Sequence, residues 1–332
     1  MSLATALIAG AGQTFVQTLV KALALGSVYI IIALGFVIVF KGTQVLNFAA
    51  GAISMAGAMF FSILIADGGI PFLPFDNPFA PSADNPNTFV WLFNLLLALC
   101  IAAVFGMVCE RIAIRPMVGQ PLFAMAVITL GLEVAIRPFN LDATALQARS
   151  LNVPWGADAW TIGGALIPKS YVAAMIFAAI AGTVVIVFYR SRLGVAMRAV
   201  AFDQEAAMAQ GINVGRVFQI AWGLGAALAA LGAIVYGMAP FPPGGQVSQE
   251  IHPILALRVL PVIVLGGLDS ASGAVYGGLI IAGAEVFAGE YLSQWNSTLG
   301  SGYSTIVPYI VMLIVLVVKP YGLFGTPEVR RV

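Results

Sequence analysis

The stretch QTLVKALALGSVYIIIALGFVIVF, residues 17–40, carries one charged side chain, Lys21, and its reading decides the fold. A helix rising 1.5 Å per residue needs about 20 apolar residues to cross the hydrocarbon of a bilayer, and this run is long enough. No water reaches peptide groups there, so the run must close its own hydrogen bonds as a helix. The rest of the chain repeats the pattern. Of 332 residues, 61% are apolar and only 9% are charged, where a soluble domain carries roughly a quarter charged residues. The expected fold is an all-α membrane protein, a polytopic bundle of about eight or nine transmembrane helices, forming one domain over residues 1–332.

Further apolar windows fall at 45–66, 89–109, 121–138, 170–189, 216–238, 252–267, 271–289 and 303–318. Those at 252–267 and 303–318 are short for a span. Broken or re-entrant helices are expected around Gly51 and Gly273. Lys41, Arg111 and Arg115, the group from Arg190 to Arg216, and the tail with Lys319, Arg330 and Arg331 fall at alternate connections, which reads as the cytoplasmic side. The opposite connections, 67–88, 139–168 and 290–302, are poor in Lys and Arg. Nine spans then leave the C-terminus cytoplasmic and the N-terminus outside. The start of the chain lacks the basic region of a secretory signal, so its first apolar segment is expected to remain as a span. Trp91, Trp155, Trp160 and Trp295 read as an interfacial aromatic belt. Cys100 and Cys109 point to nearly opposite faces of one helix and read as small core residues. Net charge is +1 and no basic patch interleaves with aromatics, so nucleic acid is not an expected partner.

Against this background RAVAFDQEAAMAQGINVGRV, residues 198–217, is polar. Asp203 suits an N-cap, Glu205 sits where the helix dipole favours a carboxylate, and Gly211 can end the helix in a left-handed turn. A helix over 203–211 is too short to be stable alone, so packing must hold it. Small residues line 223–237 and 273–285, where Gly273 and Gly277 form a G-x-x-x-G pair. Such stripes let backbones approach in lipid, either inside one subunit or between subunits. NFAAGAISMAGAMFFSI (47–63) echoes DSASGAVYGGLIIAGAEVF (269–287), the paired interrupted segments that repeat-built transporters place beside their substrate path.

Charge within a span is costly and marks a partner or a path. Arg258 and Glu285 either pair, fixing helix register, or line the path. Glu133 and Arg137, four residues apart, can pair along one helix. Asn47 and Ser270, at the two interruptions, can bind a ligand or cap helices. His252 reads as interfacial, and Asn296-Ser297-Thr298 as a chance glycosylation match.

Several tracts together resemble a known family. EAAMAQG (205–211) has the E-A-A-x-x-x-G spacing of the cytoplasmic coupling loop in binding-protein-dependent ABC importer permeases. VLGGLDSASGAVYGGLIIAGAE (264–285), ALGFVIVFKGTQVLNFAAGAISMAGA (33–58), CERIAIRPM (109–117) and KPYGLFGTPEVRRV (319–332) are similar, in order, to tracts of the LivH-type branched-chain amino acid permeases. The chain departs from them at Ala50 and Ala52, where His and Glu are usual in an I-N-F-A-H-G-E tract, and at Asp269, where glycine is usual.

The resemblance implies an importer permease, with a coupling loop at about 190–216 in which Arg198, Asp203, Glu205, Ala206, Ala207 and Gly211 meet an ATPase. It also implies two ABC ATPase subunits that bind ATP and magnesium, a second permease subunit of the LivM kind, a periplasmic or extracellular substrate-binding protein, and a bacterial inner membrane. The chain itself has no G-x-x-x-x-G-K-[ST] loop and is expected to hold no cofactor and to perform no covalent chemistry. The implied solute is a branched-chain amino acid or a related small amino acid, amide or carboxylate. The intramembrane charges and the internal echo also admit a self-sufficient secondary transporter or channel.

Overall fold

The computed structural model describes residues 3–80, 87–117, 120–144, 148–238, 240–241, 246–247, 251–292 and 303–325. Seven of its helices are long and apolar enough to cross a membrane. They are α1 (Leu3–Thr43), α2 (Ala50–Ser62, widened into a π-helical turn to Asp67), α3 (Thr88–Cys109, widened likewise to Ile114), α4 (Leu122–Thr144), α5 (Lys169–Arg190), α8 (Val214–Tyr236) and α10 (Ala271–Tyr291). The two short windows become shorter apolar helices, α9 (Ile251–Gly266) and α11 (Tyr303–Val318). Two helices fill the polar connection, α6 (Arg192–Phe202) and α7 (Gln204–Ala209).

The bundle has two distinguishable ends. At one, the Lys41 ammonium donates to the Asp269 carbonyl and sits over the Tyr189 ring, Arg198 donates to the Tyr189 carbonyl, and Arg115 donates to the Gly215 carbonyl. The chain after α11 returns to this end, where Leu323 and Phe324 donate their N–H groups to Leu265 and Gly266. At the other end lie three two-stranded ribbons. They pair Gly69–Ile70 with Leu73–Asp76, Arg149–Ser150 with Gln246–Val247, and Ala159–Ile162 with Ala165–Pro168. An Asp67–Arg149 ion pair joins two of them. Among the described residues, the basic connections therefore share one end, and the connections 67–88 and 139–168, poor in Lys and Arg, share the other.

α1, α8 and α10 form the centre, and glycine sets their spacing. Gly35 of α1 and Gly225 of α8 cross so closely that a Cβ on Gly35 would stand 2.8 Å from the Gly225 carbonyl oxygen. The stripes at 223–237 and 273–285 thus serve packing within the chain, because Gly223 faces α3 and Gly273 faces Gly266 of α9. Apolar burial gives little drive in lipid, so close backbone contact takes its place.

Some expectations need correction. The interruptions do not fall within helices at Gly51 and Gly273; they are links before them, residues 44–49 and 267–270. Trp91 is core rather than belt, 1% exposed, with its indole donating to the Leu151 carbonyl. Trp155 donates to the Ser170 hydroxyl, and Trp160 is exposed. Cys109 is buried but Cys100 faces outward. Asn77, in the first outer connection, donates its amide to the Leu64 carbonyl and the Asn94 side chain. Trp295, Asn296-Ser297-Thr298, Arg330, Arg331 and the His252 side chain lie outside the described residues.

Candidate functional site

α2 begins without a cap of its own. Ala49 stands at the N-cap with no side-chain acceptor, and the exposed peptide groups of the first turn need partners from elsewhere. α4 supplies them. A Glu133 carboxylate oxygen accepts from the Ala52 N–H at 2.9 Å, and the Thr129 hydroxyl accepts from the Phe48 N–H at 3.2 Å. The Asn140 amide donates to the Ala52 carbonyl at 3.0 Å. Ala52 occupies the place where the resembled tract usually has Glu; here the carboxylate comes from another helix, 81 positions away in sequence. The second Glu133 oxygen takes the Arg137 guanidinium at 3.2 Å, the helical pairing the spacing predicts.

Beside this turn lies a cavity of about 200 Å³. Its polar wall is Asn47, Glu133 and Arg137, and its apolar wall includes Ile32, Phe36, Leu257 and Ile263, so α1, α2, α4 and α9 meet around it. Asn47 is 7% exposed and its Oδ1 accepts no hydrogen bond among the described residues. Glu133 is largely sheltered, with 15% of its side chain exposed, while Arg137 reaches the cavity rim with 55% exposed.

Arg258 and Glu285 form a separate unit. The Arg258 guanidinium donates to one Glu285 oxygen at 3.2 Å, and the Tyr29 hydroxyl donates to the other at 2.6 Å. α1, α9 and α10 are tied together through one carboxylate. Neighbours Leu257 and Val259 line the cavity, whereas Arg258 is engaged with Glu285. Ser270 caps α10, its hydroxyl accepting from the Gly273 N–H at 3.0 Å and facing Ser272 at 3.0 Å. Of the sequence candidates, Asn47, Glu133 and Arg137 come together, and Arg258, Glu285 and Ser270 lie apart from them.

The polar connection sits at the basic end. Asp203 is the N-cap of α7, its carboxylate accepting from the Ala206 N–H at 2.9 Å, and Gly211 ends it with φ +80°. The Gly211 and Ile212 N–H groups close the last turn on the Met208 and Ala207 carbonyls. Ala207 is buried, while Glu205 and Ala206 face outward. Phe202, just before α7, is 89% exposed and Met208, on α7, is exposed too, leaving apolar surface at a polar end. Asn213 caps α8, and the Arg115 guanidinium grips the Gly215 carbonyl at 2.9 Å while pairing with buried Glu110 at 3.4 Å.

Sequence reasoning missed α6 as a separate helix, although Ser191 marks its start by accepting from the Gly194 N–H. It also missed Tyr29, Thr129, Asn140 and Arg115 as partners. Only the CERIAIRPM tract around Arg115 offered a signal.

A model of the family described as branched-chain amino acid transport system / permease component matches residues 18–316. The high-affinity branched-chain amino acid transport system permease protein LivH of Salmonella typhimurium is 28% identical over 328 residues, spanning 96% of this chain and 98% of that one. The corresponding permease protein BraD of Pseudomonas aeruginosa is 28% identical over 333 residues with the same coverage. Among solved structures, PsaBC from Streptococcus pneumoniae in complex with Fab is similar with a TM-score of 0.49 at 11% identity, covering 93% of this chain and 92% of that one. A multi-pass chain whose motifs run in the family's order, and whose family match covers nearly all of the bundle, belongs to the permease components of branched-chain amino acid transport systems.

Proposed function

We propose that this chain is half of the membrane gate of a bacterial inner-membrane importer, moving a branched-chain amino acid or a related small amino acid, amide or carboxylate. Membership in a permease-component family supports this reading over a self-sufficient transporter or channel. In the proposed assembly two ATPase subunits bind ATP and magnesium, a second related permease completes the path, and an external binding protein delivers the solute. The basic end faces the cytoplasm, in keeping with the placement of Lys and Arg, so the C-terminus is inside and the N-terminus outside.

The observation that carries the reading is α7. A six-residue helix capped at both ends, with Phe202 exposed just before it and Met208 exposed on it, is a small knob with apolar surface. Such a helix does not persist in water by its own propensity, and apolar surface at a basic end suits a protein groove. Motion of the ATPases pushes the knob. The link 210–213 passes the push to α8, Arg115 hands it to α3, and the Gly35–Gly225 crossing hands it to α1. Transport then becomes an exchange between two states of the bundle, biased by the ATPases' preference for one of them.

The test is to replace Gly211 by Val or Glu205 by Lys. A β-branched residue at φ +80° is strained by roughly 1–2 kcal/mol and reshapes the end of α7. Uptake by the assembled transporter is expected to fall at least about tenfold, a barrier change of about 1.4 kcal/mol, with the subunit still inserted. Full uptake and normal solute-stimulated ATP hydrolysis in both variants would remove α7 from the coupling path.

A further inference from the structure

We infer, resting on the amino-acid importer reading, that the cavity beside α2 is a selection site within the permease, where a solute carboxylate exchanges with the Glu133 carboxylate at the α2 N-terminus. Three observations converge on it. The first turn of α2 carries the partial positive charge of a helix start, and no side chain of its own link caps it. Its anion is lent by Glu133, which is also held by Arg137 and so has a second place to go. Asn47, in the link just before the same turn, is buried on the cavity wall with Oδ1 accepting nothing among the described residues. A buried acceptor left unpaired costs folding free energy, and a hydrogen-bond donor arriving in the cavity relieves it.

The chemistry of the wall names the class of solute. One carboxylate, one guanidinium and one amide sum to zero charge, which suits a zwitterion better than a free anion or cation. A solute carboxylate at the α2 N-terminus and Arg137 releases Glu133 toward the solute ammonium, and the Asn47 Oδ1 takes one ammonium hydrogen. Ile32, Phe36, Leu257 and Ile263 then receive an aliphatic tail, and a cavity of about 200 Å³ suits a small amino acid. Selection is thereby repeated after the binding protein has let go.

The experiment uses the complete transporter in membranes, with Cys100→Ala and Cys109→Ala as background and Ala50→Cys or Leu257→Cys as two independent reporters on the cavity wall. Labelling by a methanethiosulfonate reagent is timed with leucine, with leucinamide, which lacks the carboxylate, and with isocaproate, which lacks the ammonium. Leucine is expected to slow labelling by about tenfold or more, and the two analogues by much less. Asn47→Ala is expected to raise the leucine concentration for half-protection about tenfold, with Glu133→Gln acting in the same direction. Equal protection by all three solutes overturns head-group recognition. Absence of leucine protection at both reporters, in a complex that still imports leucine, overturns the site and leaves the importer reading standing. A complete complex that imports no amino acid at all overturns both.

Discussion

The starts of α2 and α10 look alike in sequence and are built differently. Each follows a polar residue, Asn47 or Ser270, and opens into a small-residue helix. At α10 the chain closes on itself. Ser270 caps the helix, Gly273 lies against the Gly266 backbone, Lys41 holds the Asp269 carbonyl, and the segment after α11 adds two backbone bonds to Leu265 and Gly266. At α2 no local cap forms, the carboxylate comes from α4, and among the described residues Asn47 is left with an unpaired acceptor against a cavity. One start is sealed and the other is open, and an open polar start in lipid is tolerated where it lines a pathway. The difference assigns a structural task to one half of the echo and leaves the other half available to a solute.

Substitutions break or sharpen this contrast to different degrees. The largest expected effect is at the sealed helix. Glu285→Ala leaves the Arg258 guanidinium without its carboxylate and the Tyr29 hydroxyl without its acceptor, and loss of one partner from a buried pair costs about 3–5 kcal/mol. Thermal unfolding in detergent, followed by tryptophan fluorescence, should show a large fall in midpoint; a midpoint like the wild type would mean the triad contributes no stability. Ser270→Ala removes one cap and should cost about 1 kcal/mol in the same assay, with leucine uptake per folded transporter unchanged. If uptake fell instead, Ser270 would belong to the path and the contrast between the two starts would fail. The smallest stability effect is expected at the open start. Asn47→Ala removes a group whose acceptor is unsatisfied, so the midpoint should shift by no more than about 0.5 kcal/mol in equivalent energy, or rise slightly. A loss as large as that of Ser270→Ala would show that Asn47 is holding the turn.

Much of the site was legible along the chain because it depends on near neighbours. The Glu133–Arg137 pair follows from four-residue spacing, and the Asp203 cap and Gly211 stop of α7 follow from local backbone chemistry. What the other Glu133 oxygen does, the one not paired with Arg137, could not be read this way. Its partner is the Ala52 N–H across 81 positions, and spacing carries no information at that distance. Tyr29 was hidden for a related reason. A lone tyrosine in a long apolar helix reads as core until Glu285 is seen to face it.

Composition, the length of the apolar runs and the alternation of Lys and Arg were enough to determine a multi-pass helical bundle with a polar, capped helix at its basic end. Each of these is a one-dimensional property, since a span must satisfy its own backbone and a cap acts within one turn. Only the tertiary structure decided which intramembrane charges pair for stability and which border a cavity. That choice depends on how closely glycine lets α1 approach α8 and α9 approach α10, and so on which side chains are left facing space.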